Sequence, residues 1–130
     1  MTLNDPLSNA LSKILNYEKV GKKTCIIFPA SKLIKKALAL LQDQQYVGEF
    51  KEVQDSKGNY LILNLLGRIN KCGAVKPRFS AKIKDYEKYE KRYLPARAFG
   101  IILVSTSQGL MNHPEAKKKK LGGRLIAFCY

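Results

Sequence analysis

The sequence predicts an α+β fold in two small domains, and three features of the sequence carry that prediction. Apolar residues in the first half alternate between helical and extended spacing. A stretch rich in Gly, Pro and basic residues follows Leu66, and the remainder holds two strand-like runs, 99–104 and 125–130, among short helical segments. The expected arrangement is an N-terminal α-β-α-β-β domain over residues 1–66 and a C-terminal domain over 67–130, mostly β with short helices. A chain of 130 residues, 45% apolar, can support one compact unit or two very small ones.

The elements follow from local pattern. Leu7, Ala10, Leu11, Ile14 and Leu15 recur at helical spacing, which predicts an amphipathic helix from Asp5 to Lys19 with Asp5 as cap and Pro6 in the first turn. Thr24 to Phe28 is a β-branched apolar run between Gly21-Lys22-Lys23 and Pro29, and it suits a buried strand. Ser31 caps a second helix whose stripe is Leu33, Ile34, Ala37, Leu38 and Leu41 and which ends in the polar cluster 42–45. Tyr46 to Gln54 and Tyr60 to Leu65 read as a hairpin about Asp55-Ser56-Lys57-Gly58-Asn59, with Gly58 and Asn59 free to take positive φ.

Beyond the break at 67–84, Tyr86, Tyr89 and Tyr93 lie three and four residues apart among Lys and Glu, predicting a short helix from Asp85 to Arg92 that stops near Pro95. Such a stripe could stack on bases, but its spacing fits core packing better. Phe99 to Val104 and Leu125 to Tyr130 are strands expected to pair. Between them come a Ser105-Thr106-Ser107-Gln108-Gly109 loop and a helix from Asn112 to Lys120, capped by Asn112 or His113, with Pro114 at its first position.

Charge dominates the composition. Against 10 acidic side chains stand 24 Lys and Arg, a formal net charge of +14, which predicts a polyanionic partner. Residues 1–64 hold nine basic and six acidic groups, whereas residues 65–130 hold fifteen and four, so the second half carries most of the electrostatic footprint. No apolar run approaches the roughly 20 residues that span a bilayer, and the start lacks a signal-peptide pattern, so a cytoplasmic location and no membrane partner are expected.

The chemistry-bearing residues argue against catalysis. Cys25, Cys72 and Cys129 are widely spaced and odd in number, which suits buried or idle thiols rather than a disulfide framework or closed metal site. His113, the single histidine, cannot build a metal site alone, and its pairing with Ser105 or Ser107 lacks an acidic orienter and an oxyanion site in the spacing. Gly21-Lys22-Lys23-Thr24 lacks the earlier glycine of a phosphate-binding loop. No cofactor, metal or small-molecule substrate is implied.

Nucleic-acid contacts fit better. Ser105, Thr106, Ser107, Gln108 and Gly109 offer three hydroxyls and an amide beside an apolar strand, a set matched to 2′-hydroxyls, phosphates and base edges. The competing reading is a polar turn whose hydroxyls bond their own backbone. Lys117 and Lys118 open a run of four lysines suited to phosphates. Asn9 and Lys13 lie on the polar face of the first helix, and Ser31-Lys32 places a hydroxyl, a cation and free N–H groups at the start of the second.

Four blocks then resemble a known family: 5–11 (Asp-Pro-Leu-Ser-Asn-Ala-Leu), 29–33 (Pro-Ala-Ser-Lys-Leu), 104–111 (Val-Ser-Thr-Ser-Gln-Gly-Leu-Met) and 122–127 (Gly-Gly-Arg-Leu-Ile-Ala). In that order they are similar to the signatures of the small-subunit ribosomal protein S-eight family. Blocks 67–74 and 89–97 resemble its archaeal branch. The resemblance implies a two-domain α+β ribosomal protein that binds the central domain of small-subunit ribosomal RNA directly, supports its assembly, and neighbours other small-subunit proteins. It also implies that Ser105, Thr106 and Ser107 form the recognition segment, continued by Gln108 and Gly109, with Asn9, Lys13, Ser31 and Lys32 contributing from the first half. Gln108 stands where bacterial relatives often carry lysine. The alternative of another class is a basic RNA-processing enzyme or nuclease, favoured only by Ser, His and Lys lying in one region.

Overall fold

A computed structural model describes residues 6–28, 30–75, 78–95 and 99–130. The chain divides into two compact units, Met1–Lys71 and Cys72–Tyr130. Asp5, expected to cap the first helix, and Pro29, expected to end the first strand, lie outside the described residues, as do Lys76, Pro77, Ala96 and Arg97.

In the first unit, helix α1 (Pro6–Val20) buries Leu7, Ala10, Leu11 and Ile14, and helix α2 (Lys32–Asp43) buries Ile34, Ala37, Leu38 and Leu41. Both stripes follow the spacing read from the sequence. They cover a sheet in which strand β3 (Tyr60–Leu65) runs antiparallel between β1 (Thr24–Ile27) and β2 (Val47–Val53). Side chains alternate across that sheet: Cys25 and Ile27 are buried while Thr24 and Ile26 are exposed. The β2–β3 hairpin forms as expected, with Gly58 at φ +129, whereas Asn59 keeps a negative φ and its amide donates to Glu52 Oε1 at 3.1 Å. The segment after β3 remains with this unit. Ile69 is buried, the Gly67 N–H donates to Glu18, and Arg68 donates to Gln45 at 3.0 Å.

The second unit is a five-stranded antiparallel sheet. Strand β8 (Gly123–Cys129) lies between β6 (Ile101–Thr106) on one side and β4 (Cys72–Ala74) and β5 (Ser80–Ala81) on the other, and β7 (Gly109–Asn112) flanks β6. The expected pairing of the two long strands is present. Strands β4, β5 and β7 depart from the sequence reading, and so does the extent of β6, which runs through Ser105 and Thr106 instead of ending at Val104. Pairing explains the extension, because Ser105 and Thr106 have register partners on both neighbouring strands.

A short 3-10 turn (Ile83–Asp85) leads into helix α3 (Tyr86–Tyr93). Its tyrosines serve the core, as their spacing favours. Tyr86 is fully buried and donates its hydroxyl to the Leu121 carbonyl at 2.8 Å, and Tyr89 stacks on Phe79. These rings join Val75, Ile102, Val104, Met111, Ala116 and Leu125 in one cluster. Helix α4 (His113–Lys118) is capped by Asn112, whose side chain accepts the Glu115 N–H at 3.0 Å. With Asn112 as cap, Pro114 falls at the second helical position rather than the first.

Candidate nucleic-acid interface

Strand pairing builds the centre of the site. Register places Thr106 opposite Gly109, so only Ser107 and Gln108 lie outside the ladder at the end of the β6–β7 hairpin. The five residues expected as a loop are therefore two strand ends and a two-residue turn. Glycine is required at 109, where φ is +112. Thr106 fastens the turn: its hydroxyl donates to the Gly109 carbonyl at 2.8 Å and accepts the Gln108 N–H at 3.2 Å. For Thr106, then, the competing reading from the sequence is the one observed.

Ser105, Ser107 and Gln108 are exposed. Behind them Ile101, Ile102, Leu103 and Val104 are all buried, so the exposed polar tip extends from the packed centre of the sheet. Fixed donors and acceptors on such a support lose little conformational freedom when they bind a structured partner.

Register also reveals a neighbour that sequence reasoning missed. Arg124 on β8 pairs with Ser105 on one side and with Ser80 on β5 on the other, and all three side chains are exposed. Neighbouring strands lie about 4.8 Å apart, so a hydroxyl, a guanidinium and a hydroxyl stand in one row across the sheet. Only the block Gly122-Gly123-Arg124 hinted at this. Gly123 leaves no room for a side chain against β6, since a Cβ there would meet the Ser105 carbonyl oxygen at 2.2 Å.

The two lysines singled out on α4 part company. Lys118 is exposed, while the Lys117 ammonium is ion-paired to the nearly buried Glu90 of α3. The Glu90 carboxylate also lies 3.3 Å from His113 Nε2, while the Ile102 N–H donates to His113 Nδ1 at 3.0 Å. Because Nδ1 accepts a hydrogen bond it carries no proton, so the imidazole is neutral with its proton on Nε2, facing the carboxylate. Burial holds the His113 pKa below its ordinary value, with the Glu90 carboxylate partly offsetting that effect. The histidine braces α4 against β6 and α3 and is not poised beside the serines as a base.

In the first unit, Asn9 is exposed and Lys13 partly exposed, four residues apart on one face of α1, with the Lys13 ammonium 5.7 Å from the Tyr17 ring centre. Ser31 is committed as a cap: its Oγ accepts the Ile34 N–H at 3.2 Å. Lys32 beside it is exposed. No cluster of metal-binding side chains occurs among the described residues.

A family model described as Ribosomal protein S8 matches residues 5–130, nearly the whole chain. The chain belongs to the ribosomal protein S8 family. Members of this family are structural components of the small ribosomal subunit in the cytoplasm, and the family is not one of enzymes. The two-unit α+β architecture agrees with that membership. All four blocks that carried the sequence resemblance fall within the match.

Proposed function

We propose that this protein binds the central domain of small-subunit ribosomal RNA directly and supports its assembly into the subunit, acting as a scaffold and catalysing nothing. The observation that carries this reading is the β6–β7 hairpin, a polar tip locked by Thr106 and mounted on a buried strand. Ser105, Ser107 and Gln108 would read an irregular, partly unpaired RNA, with Thr106 and Gly109 holding their shape. Lys118 would supply phosphate attraction, together with Lys32, Lys13, Asn9 and the start of α2 at Ser31 in the first unit. Lys117 would act mainly through Glu90 by holding α4 in place. Neighbouring proteins of the small subunit complete the expected partners, and the archaeal-type blocks at 67–74 and 89–97 suggest the branch.

Filter binding to a central-domain RNA fragment over a salt series tests the division of labour. Ser107→Ala should weaken the specific complex by about 1–2 kcal/mol without changing its salt dependence. Lys118→Ala should instead flatten the dependence, by about 0.9 in log–log slope if one phosphate contact is lost. Equal loss of slope in both variants would refute the division. Equal affinity for the fragment and for random RNA at physiological salt would refute the function itself.

A further inference from the structure

Strand β4 brings two of the three cysteines face to face. In the β4–β8 ladder Cys72 pairs with Cys129, Gly73 with Phe128 and Ala74 with Ala127. The next step along the same register bonds the Val75 N–H to the Ile126 carbonyl at 2.9 Å, so Val75 and Ile126 form a hydrogen-bonded pair. Antiparallel pairs alternate. Counting back, Ala74 and Ala127 are non-hydrogen-bonded, Gly73 and Phe128 hydrogen-bonded, and Cys72 and Cys129 non-hydrogen-bonded. In that class Cα atoms lie about 4.5 Å apart with side chains on the same face, within the roughly 4.4–6.8 Å that a disulfide spans.

We propose that Cys72 and Cys129 form an oxidative cross-link site, a dithiol that a hydroperoxide converts to an intramolecular disulfide. The Cys72 sulfur, at the start of an edge strand only three residues long, is the one a small oxidant reaches first when that strand frays. Its thiolate attacks the peroxide oxygen, breaking the O–O bond and releasing hydroxide to leave a sulfenic acid. The Cys129 sulfur then attacks the sulfenic sulfur and expels its oxygen as water. The released hydroxide takes up the proton that the first thiol lost on ionising, so with hydrogen peroxide the oxidant is reduced to two waters while the two thiols give up two protons and two electrons. Cys25 lies in the other compact unit, and burial raises its thiol pKa, which makes it an internal reference of low reactivity. The cross-link would tie the edge strand to the last strand and constrain the unfolded chain between them. None of this depends on the RNA reading.

The test uses the reduced full chain under native conditions, treated with hydrogen peroxide and followed by intact mass and peptide mapping. The expected product has lost two hydrogens, carries a linked peptide pair containing Cys72 and Cys129, leaves Cys25 open to alkylation, and is restored by dithiothreitol. Its urea midpoint should exceed that of the reduced chain. Cys25→Ser should retain the product, while Cys72→Ser and Cys129→Ser should each abolish it. Because a serine variant could fold poorly, the wild-type peptide map decides. A link through Cys25 overturns the proposal, as do sulfinic or sulfonic acids at Cys72 without a link, or no oxidation of the native chain under conditions that oxidise the urea-unfolded chain.

Discussion

Replacing Gly123 by alanine should damage the hairpin from behind, because Gly123 allows β8 to approach β6 at the pair with Thr106. An added Cβ would sit 2.2 Å from the Ser105 oxygen, 2.9 Å from its carbonyl carbon and 3.0 Å from Val104 Cγ1. Two of these atoms are backbone and cannot rotate away, so the strands must separate by about 1 Å to restore ordinary contact. That displacement would take one or two ladder bonds beyond useful length, at about 0.5–1.5 kcal/mol each, and would add about 1–2 kcal/mol of local strain. The expected loss is about 2–4 kcal/mol. Urea unfolding followed by circular dichroism would show it as a midpoint lowered by about 1–2 M at the slopes usual for small domains. On the proposed function, RNA affinity measured below the unfolding range should fall as well, since Ser105 is the residue pushed. A stability change within about 0.5 kcal/mol of wild type would mean that β8 gives way without cost, and the account of a rigidly backed hairpin would fail.

Thr106→Val keeps shape but removes the hydroxyl that bonds Gly109 and Gln108, so stability should fall by about 1–2 kcal/mol, and an unchanged urea midpoint would show the lock to be idle. Gly109→Ala meets no atom within 4 Å but must hold φ near +112, so its cost should be about 1–2 kcal/mol and smaller than that of Gly123→Ala; the opposite order in urea titrations would contradict the steric argument. His113 is kept neutral in the folded chain by burial, whereas in the unfolded chain it takes up a proton below about pH 6.5. Its contribution is therefore full above that value and is lost progressively as pH falls toward the lower folded pKa. Wild type should lose more stability than His113→Gln between pH 7.5 and pH 5 by roughly that single-proton linkage, and parallel losses would exclude His113 as the source.

Where a segment's structure follows from its own residues, the sequence reading and the fold agree. The stripes of α1 and α2, the Ser31 cap and the β2–β3 hairpin each rest on local spacing or on one side chain bonding a nearby backbone group. Strands β4 and β5, three and two residues long, are too short to show a period, and Gly109-Leu110-Met111-Asn112 shows no strand-like alternation. These become strands only because β8 and β6 offer them partners. Glu90 was hidden for the same reason: on α3 it looks like one more surface charge among lysines, and only the packing of α4 brings His113 and Lys117 to it.

That difference explains which half of the candidate site could be read in advance. The polar tip at 105–108 is contiguous in sequence, and its hydroxyls announce themselves. Its rigidity, its Arg124 neighbour and the commitment of Lys117 to Glu90 are products of register and packing between residues distant in the chain. Since a hydroxyl discriminates among RNA shapes only when its position is fixed, selectivity should depend as much on Gly123, Thr106 and the buried run 101–104 as on the serines themselves. In the proposed division of labour, lysines such as Lys118 act at longer range and need no such support, so their contribution should survive hairpin damage. If the proposed function holds, a Gly123→Ala protein that is still folded should therefore retain the salt dependence of wild type and lose the preference for the central-domain fragment over random RNA that the proposal requires.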